Sequence, residues 1–401
     1  MPGTPSLLRA MNDKAALEVL LERGPLTRSQ LASITGISKP TASQLLFRLQ
    51  ESGLVVRDGI REGLPGRTAE LYRVNPKATH VAGVDVSPGQ MAVRIAEITG
   101  QVIGEHRMMT PGRSGGDVVD RIRSAIGGAC RAAGIDVSEL GRVVIGIPGA
   151  VNPATGRLGY APHMSGWHVP RLVETVTAGL GVRVAVENDV NLVAQAEQAY
   201  GAATGADSFA VVWVGSGIGM ALIIDGRLHR GWTGGAGEVG YMPVPGAPTA
   251  REVGRTANHG MQAFAGGPAV HKIMRSHGFR GHDPAAAVRF AVRALTDGRG
   301  GERRQHAHTA LREVAARVAM GLAAIVAVVD PALVVLTGAV ALAGGEPLRA
   351  RVEQELHAIS LPRPPVRLSV LSADPVLEGA LVLALRQAQD ELFTSTAPMR
   401  P

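Results

Sequence analysis

From Val81 onward, short uninterrupted apolar runs alternate with helical stretches, and that alternation leaves few folds open. Val81-Ala82-Gly83-Val84-Asp85-Val86 reads as a buried strand, with residues 91–96 as its hairpin partner. A helix over 117–133 follows, then a strand over 143–149 and a helix over 170–180. The next strand, 183–186, runs into Glu187-Asn188-Asp189. A second set opens with 208–214, turns through the Gly-rich loop Gly215-Ser216-Gly217-Ile218-Gly219, and returns as a strand over 220–224. Helices dominate 254–327, and 332–337 is a last buried strand ahead of Gly338. Short apolar runs bounded by turn residues and separated by longer helical windows predict an α/β fold. Two strand sets, each opening with a hairpin near an Asp or a Gly-rich turn, predict two related lobes around a cleft.

The core of such a fold must be aliphatic, because apolar residues make up 45% of the 401 and aromatics only 3%. One cysteine, Cys130, excludes an internal disulfide framework and any cysteine-rich zinc site built from one chain. The most apolar stretch, 318–340, is divided by Asp330-Pro331, so neither half reaches the roughly 20 residues a membrane span needs. The first residues lack the apolar run and small-residue cleavage site of a signal peptide, so a cytoplasmic location is expected.

Charge points to the N-terminus. Lys and Arg number 41 against 34 Asp and Glu, a net of +7, and residues 1–80 hold 11 basic and 7 acidic residues. A net +4 therefore lies in the first fifth of the chain, where a nucleic-acid contact is expected. A first helix spans about 6–23, with Leu8, Met11, Leu17, Leu20 and Leu21 on one face and Gly24-Pro25 stopping it. Thr27 and Gln30 have capping-box spacing for a second helix that ends at Gly36. Ser38 caps a third, whose first turn holds Pro40 without loss of a hydrogen bond, while Leu45, Leu46 and Leu49 face a core.

Two helices joined by a short Gly-containing turn make a helix-turn-helix, in which the N-terminal half of the second helix enters the major groove. The positions expected to be exposed there are Ser38, Lys39, Thr41, Ala42, Ser43 and Gln44, with Arg48 one turn on and Arg28 nearby. They offer short polar groups, a partner for a thymine methyl and an amide able to bind adenine bidentately. A strand over 53–57, a polar tip over 58–67 and a return strand over 70–74 form a wing, with Arg57, Arg61 and Arg67 available to phosphates or the minor groove. A three-helix interaction module with a solvated basic face is the bland alternative. The wing, the caps and the local charge together favour a winged helix-turn-helix.

The whole chain resembles the ROK family (repressor, open reading frame, kinase), in its repressor branch. The resemblance rests on Leu31-Ala32 through Gly36-Ile37-Ser38-Lys39 with Thr41, then Gly66-Arg67 before Leu71, Gly83-Val84-Asp85, and Gly146-Ile147-Pro148-Gly149. It continues through Glu187-Asn188-Asp189-Val190-Asn191, the loop 215–219, Gly234-Gly235-Ala236-Gly237-Glu238-Val239-Gly240, and Leu336-Thr337-Gly338. It implies a winged helix-turn-helix (1–76) joined to a two-lobed sugar-kinase body of the actin/hexokinase (ribonuclease H-like) type. The first lobe is expected at 77–190, completed by a C-terminal helix over 376–393, and the second at 191–375, carrying a dimerisation surface.

The resemblance also implies a chemistry that this chain only partly retains. Asp189 stands at the family's base position, and Asn188, Glu238 and Glu252 match its sugar ligands, although an Asn-Asp dipeptide at a strand end equally suits a turn cap. Family kinases follow the first Asp with two glycines and a Thr, whereas here Asp85 precedes Val86-Ser87-Pro88-Gly89, and Pro88 removes one backbone donor. Most members carry a zinc-binding His after Glu-x-Gly and then a run of cysteines. Here that position is Tyr241, and no cysteine follows in 242–251. His163, His168, His271, His277, His306 and His308 match no usual ligand spacing. No metal or cofactor is therefore expected.

The expected function is a DNA-binding transcription regulator, a repressor of carbohydrate uptake or metabolism genes. A sugar or sugar-phosphate effector would be held by Asn188, Asp189, Glu238, Tyr241 and Glu252, or the pocket would have lost its ligand. A homodimer or homotetramer would bind an inverted-repeat operator in double-stranded DNA. The competing expectation is an ATP-dependent sugar kinase that also binds DNA.

Overall fold

Short polar caps decide where the N-terminal helices begin and end. The computed structural model describes residues 5–62, 68–109, 117–161, 164, 166–254, 257–296, 301–371 and 374–394. After helix α1 (Pro5–Arg23) and the two-residue strand β1 (Leu26–Thr27), Thr27 caps α2 (Arg28–Thr35), and the box with Gln30 is closed in both directions. Gly36 ends that helix at φ 72°, a left-handed conformation suited to glycine. Ser38 caps α3 (Lys39–Glu51), with Leu45, Leu46 and Leu49 buried. Strands β2 (Val55–Glu62) and β3 (Thr68–Val74) pair antiparallel, and β1 joins the far edge of β3.

The wing differs from its sequence reading. The first strand continues to Glu62 where a tip was expected from residue 58, because Gly59, at φ 90°, absorbs a register shift between Arg57 and Ile60. Residues 63–67, including Arg67, lie outside the described residues.

Strands β4 (His80–Val86), β5 (Gln90–Glu97) and β6 (Val102–Met109) form a meander, followed by α4 (Val118–Ala133) and β7 (Leu140–Ile147). Beyond the short pair β8 (Ala150–Val151) and β9 (Leu158–Gly159) come α5 (Leu172–Leu180), β10 (Arg183–Asn188) and α6 (Asp189–Tyr200). The sheet order is β10-β7-β4-β5-β6. β6 was not foreseen, because its polar and apolar residues mix without a clean run.

Strands β11 (Phe209–Val214), β12 (Ile218–Ile224) and β13 (Arg227–Leu228) repeat the meander. Helices α7 (Ala250–Val253), α8 (Gly260–Ala265), α9 (Gly267–Ser276), α10 (Pro284–Thr296) and α11 (Gly301–Val329) follow. Then come β14 (Leu333–Thr337), α12 (Ala339–Ile359), β15 (Val366–Leu368) and α13 (Pro375–Thr394). The order β13-β12-β11-β14-β15 matches that of the first sheet, strand for strand, so the two α/β sets are related. Gly219 belongs to β12, paired with Trp213, so the Gly-rich turn is shorter than its glycines suggest.

By internal contacts the chain divides into two compact units: Met1–Ile145 with Glu174–Ala185 and Ala380–Pro401, and Gly146–Val173 with Val186–Gly379. In the first, Gln389 on α13 donates to the Ile98 carbonyl (3.0 Å), Glu391 pairs with Arg142 and Arg183, and Lys14 of α1 reaches Asp390 (3.4 Å). The second is cored by Val212, Leu336, Val314, Leu322 and Val352, an aliphatic interior as the composition requires.

Candidate functional site

In the first unit, the start of α3 presents Ser38, Lys39 and Gln44 as exposed groups, with Thr41 and Ser43 half-buried. The Ser38 and Thr41 hydroxyls bond each other at 2.8 Å, and the Ser43 hydroxyl donates to the Lys39 carbonyl at 2.9 Å. Ala42 must be corrected. Its side chain is wholly buried on the inner face of α3, so it has no methyl to offer a base.

The arginines are more occupied than the sequence suggested. Arg28 donates to the Ser43 hydroxyl (3.2 Å) and also bonds Tyr72, whose hydroxyl donates to Glu70 at 2.5 Å. Arg57 pairs with the same Glu70 at 2.9 Å. A polar chain thus runs from α3 through β3 to the wing. Burial, with Glu70 adding to it, pushes the Tyr72 hydroxyl above its usual range. Arg61 lies in β2 opposite Ala69.

Arg48 has a structural partner that spacing could not reveal. It donates at 2.7 Å to Asp13 of α1, whose side chain is buried. Removing it strands a buried carboxylate. Because Arg48 itself is partly exposed, Arg48→Ala is expected to lower stability by about 1–2 kcal/mol. Urea unfolding of both proteins measures this. Weaker DNA binding at unchanged stability would instead make Arg48 a phosphate contact.

The second unit gathers the candidate effector residues. β10 ends at Asn188, whose side-chain oxygen caps α6 by accepting from Asn191 (3.0 Å) and whose amide donates to the Gly149 carbonyl (3.0 Å). The cap reading of that residue is thus met, and both ends of its side chain are engaged within the protein. Asp189 begins α6 and accepts from the Val190 N–H at 2.8 Å. Val190 packs at Gly219 of β12, and the Gly237 carbonyl accepts from the Met220 N–H one residue on (3.0 Å). The α6 start and the Glu238 turn therefore flank the same short piece of β12. Gly237, at φ 96°, lies so close to the Met220 carbonyl that a Cβ would overlap it.

Glu238 is half-buried and makes no side-chain cap for the turn Val239–Tyr241 that follows it. Burial, reinforced by the Asp189 carboxylate, pushes the Glu238 carboxyl up to about 7. Tyr241 is partly exposed; burial, then Glu238 and Tyr160, raises its hydroxyl above the ordinary value. Glu252 is spent differently: its carboxylate accepts from the Thr249 N–H (2.7 Å) and hydroxyl (2.9 Å), closing a capping box on α7. Those bonds hold it below the usual carboxylate range.

Sequence reasoning missed Glu187, Arg230 and Tyr160. The buried Glu187 carboxylate accepts from Arg230 (2.6 Å), from the Asn188 N–H (3.0 Å) and from the Asn191 amide (2.8 Å), fixing both asparagines. The signal was present, because an acidic residue inside a buried strand end needs a partner.

The two candidate phosphate loops have specific closures. In Ser87–Gln90, the Ser87 N–H bonds the Gln90 carbonyl (2.9 Å), the Gln90 N–H bonds the Ser87 hydroxyl (3.3 Å), and Pro88 has no donor. In the second loop, the Gln262 side chain accepts from the Ile218 N–H (2.9 Å) and donates to the Ser216 carbonyl (3.4 Å). Of the histidines, His168 bonds the Ala161 carbonyl (3.0 Å), His271 the Gly281 carbonyl (3.1 Å), and His277 meets Glu313 (3.4 Å). His308 contacts Arg351 at 2.7 Å, and His163 lies outside the described residues.

The body, from β4 into α13, matches the ROK family over residues 81–387. The chain belongs to the ROK family. Its N-terminal segment matches the MarR family over residues 11–64, which makes this a ROK protein with a winged helix-turn-helix ahead of a sugar-kinase-like α/β body. The xylose repressor of Caldicellulosiruptor bescii is 23% identical over 391 residues, covering 96% of this chain and 97% of that one. A solved ROK family transcriptional regulator, described as a homolog of the E. coli MLC protein, shares the fold at a TM-score of 0.74. It is 19% identical, and the match covers 97% of this chain and 99% of that one. The ROK hexokinase from Thermus thermophilus matches at a TM-score of 0.62 and 27% identity, covering 78% of this chain and all (100%) of that one. Among the described residues of this ROK protein, no helix is long and apolar enough to cross a membrane.

Proposed function

We propose that this ROK protein is a DNA-binding transcription regulator that represses carbohydrate uptake or metabolism genes and releases or takes up DNA in response to a sugar-type effector. The observation that carries the reading is the winged helix with its exposed polar α3 start, joined to a ROK body over a span that the xylose repressor shares almost end to end. Lys39, Thr41, Ser43 and Gln44 read bases, Ser38 sets the helix start, and Arg28, Arg57, Arg61 and Arg67 add phosphate or minor-groove contacts with strong salt dependence. Asn188, Asp189, Glu238 and Tyr241 form the effector site. Glu252 joins it only by giving up its capping box. A cytoplasmic homodimer or homotetramer on an inverted repeat completes the assignment.

The kinase reading is favoured by Asp189 and by the likeness to ROK hexokinase. Against it stand the loop donors described above. Two of the three N–H groups in Ser87–Gln90 are spent inside the turn, and Gln262 takes the Ile218 donor of the second loop. Phosphoryl transfer rests on such positioned donors, so we assign this body no turnover.

The test is to sequence genomic fragments retained by the purified protein, with and without D-xylose, D-glucose and N-acetylglucosamine and their phosphates. Inverted repeats beside transport or sugar-catabolism genes are expected, with fragments lost or gained in the presence of one sugar. No enrichment under any condition sinks the proposal. ATP turnover that Asp189→Asn abolishes would establish the kinase.

A further inference from the structure

The family resemblance implies zinc at the position of Tyr241, and the residues here do not suit that ion. No thiolate stands near Tyr241 in sequence, Cys130 belongs to the other unit, and among the described residues no group of three His, Cys, Asp or Glu is placed to bind a metal. Three rings stand there instead. The Tyr241 ring lies 5.8 Å from Tyr160 at 53° and 5.6 Å from His259 at 54°, tilted arrangements that favour aromatic pairs. The Tyr241 hydroxyl donates to the Tyr160 carbonyl at 3.4 Å, and the buried His259 ring is oriented by the Ala257 carbonyl at 2.8 Å.

This layer bears on the Glu238 turn from two directions. Tyr160 has φ 60°, a conformation that a tyrosine holds only when its surroundings impose it. Its ring covers Gly235, where a Cβ would come within 2.8 Å, and the Gly235 carbonyl accepts from the Glu238 N–H (3.2 Å). On the other side, Gly260 lies against the backbone of Tyr241 and Met242, and the Met261 N–H donates to the Met242 carbonyl (2.9 Å).

We infer that the Tyr160–Tyr241–His259 layer is a metal-free strut that positions Glu238, with Tyr241 its central positioning residue. The strut is tied to Glu238 through the backbone, where the Tyr241 N–H donates to the Glu238 carbonyl at 3.2 Å, and the Asp189 carboxylate acts on the Glu238 side chain electrostatically. The inference rests on the effector-site reading for its purpose alone, and its test needs no ligand.

The experiment uses the full chain purified without chelator. Its zinc content and its thermal midpoint with and without EDTA are measured first. Wild type, Tyr241→Phe, Tyr241→Ala and Glu238→Gln are then melted from pH 5 to pH 8, with binding to a non-specific DNA duplex as the folding control. Zinc well below one per chain and an EDTA-insensitive midpoint are expected. Tyr241→Phe should keep the Glu238-dependent fall in midpoint with rising pH, whereas Tyr241→Ala should lose at least half of it, since the carboxyl then meets water. Should Tyr241→Ala not fold, Tyr241→Leu keeps the volume without the ring and is expected to behave as described for alanine. Stoichiometric zinc whose removal lowers the midpoint, or a full pH response in the ring-less variants, overturns the inference. A wild type that binds no sugar counts against the effector reading alone.

Discussion

Gln44→Ala and Lys39→Ala are each expected to weaken operator binding by about 1–3 kcal/mol, roughly 5- to 150-fold, with unchanged thermal stability. Both side chains are exposed at the start of α3, where Ser38 and Pro40 fix the first turn and the buried Leu45, Leu46 and Leu49 fix the opposite face. A glutamine there offers an amide fork, so its loss should flatten sequence preference as well as affinity. Lysine acts as a point charge, so removing it should also reduce the salt slope if it meets a phosphate. Arg57→Ala is the contrast: its wing position predicts a uniform loss over all sequences, partly offset because Glu70 already neutralises it. Anisotropy titrations against the selected operator and a scrambled duplex, at several salt concentrations, separate these outcomes. If neither α3 variant changes affinity or preference, α3 is not the reading helix.

The second large effect is a pH dependence of stability carried by Glu238. Its carboxyl is held near 7 against an ordinary value of 4.5, so between those limits the native state keeps a proton that the unfolded chain has released. Raising the pH through that window removes stability, up to about 3 kcal/mol in all, and above it both states are ionised and the penalty is constant. Glu238→Gln is therefore expected to equal wild type near pH 4, to pull ahead above it, and to exceed it most in stability at pH 8. Urea unfolding at a series of pH values gives the difference curve directly. A flat difference from pH 5 to pH 8 would place the carboxyl in water and remove the basis for a dry effector site. A carboxyl held near 7 suits a group that both donates and accepts hydrogen bonds at neutral pH, as the proposed effector site requires.

Local rules made much of this protein legible. Thr27, Gln30, Gly36 and Ser38 act through short local bonds and turns, so the start and end of α2 and the start of α3 could be read to within a residue. Apolar runs bounded by Gly or Asp marked β4, β7, β11 and β14 because a strand buried on both faces has no polar alternation to blur it. The mixed surface of β6 and the bulge at Gly59 were not legible, since each depends on the partner strand it meets.

The sequence by itself determined the two strand sets, the winged N-terminus and the residue types at the proposed effector site, including the tyrosine where the family resemblance implies a metal ligand. Only the tertiary structure decided how those residues are spent. Arg48 turns to a buried Asp13 that lies 35 positions away, Ala42 faces inward, Glu252 closes a cap, and Glu187 with Arg230 pins the asparagines. The reason is physical. Periodicity and capping are set by neighbours along the chain, whereas the partner of a charge and the burial of a carboxyl are set by whatever the fold brings against it.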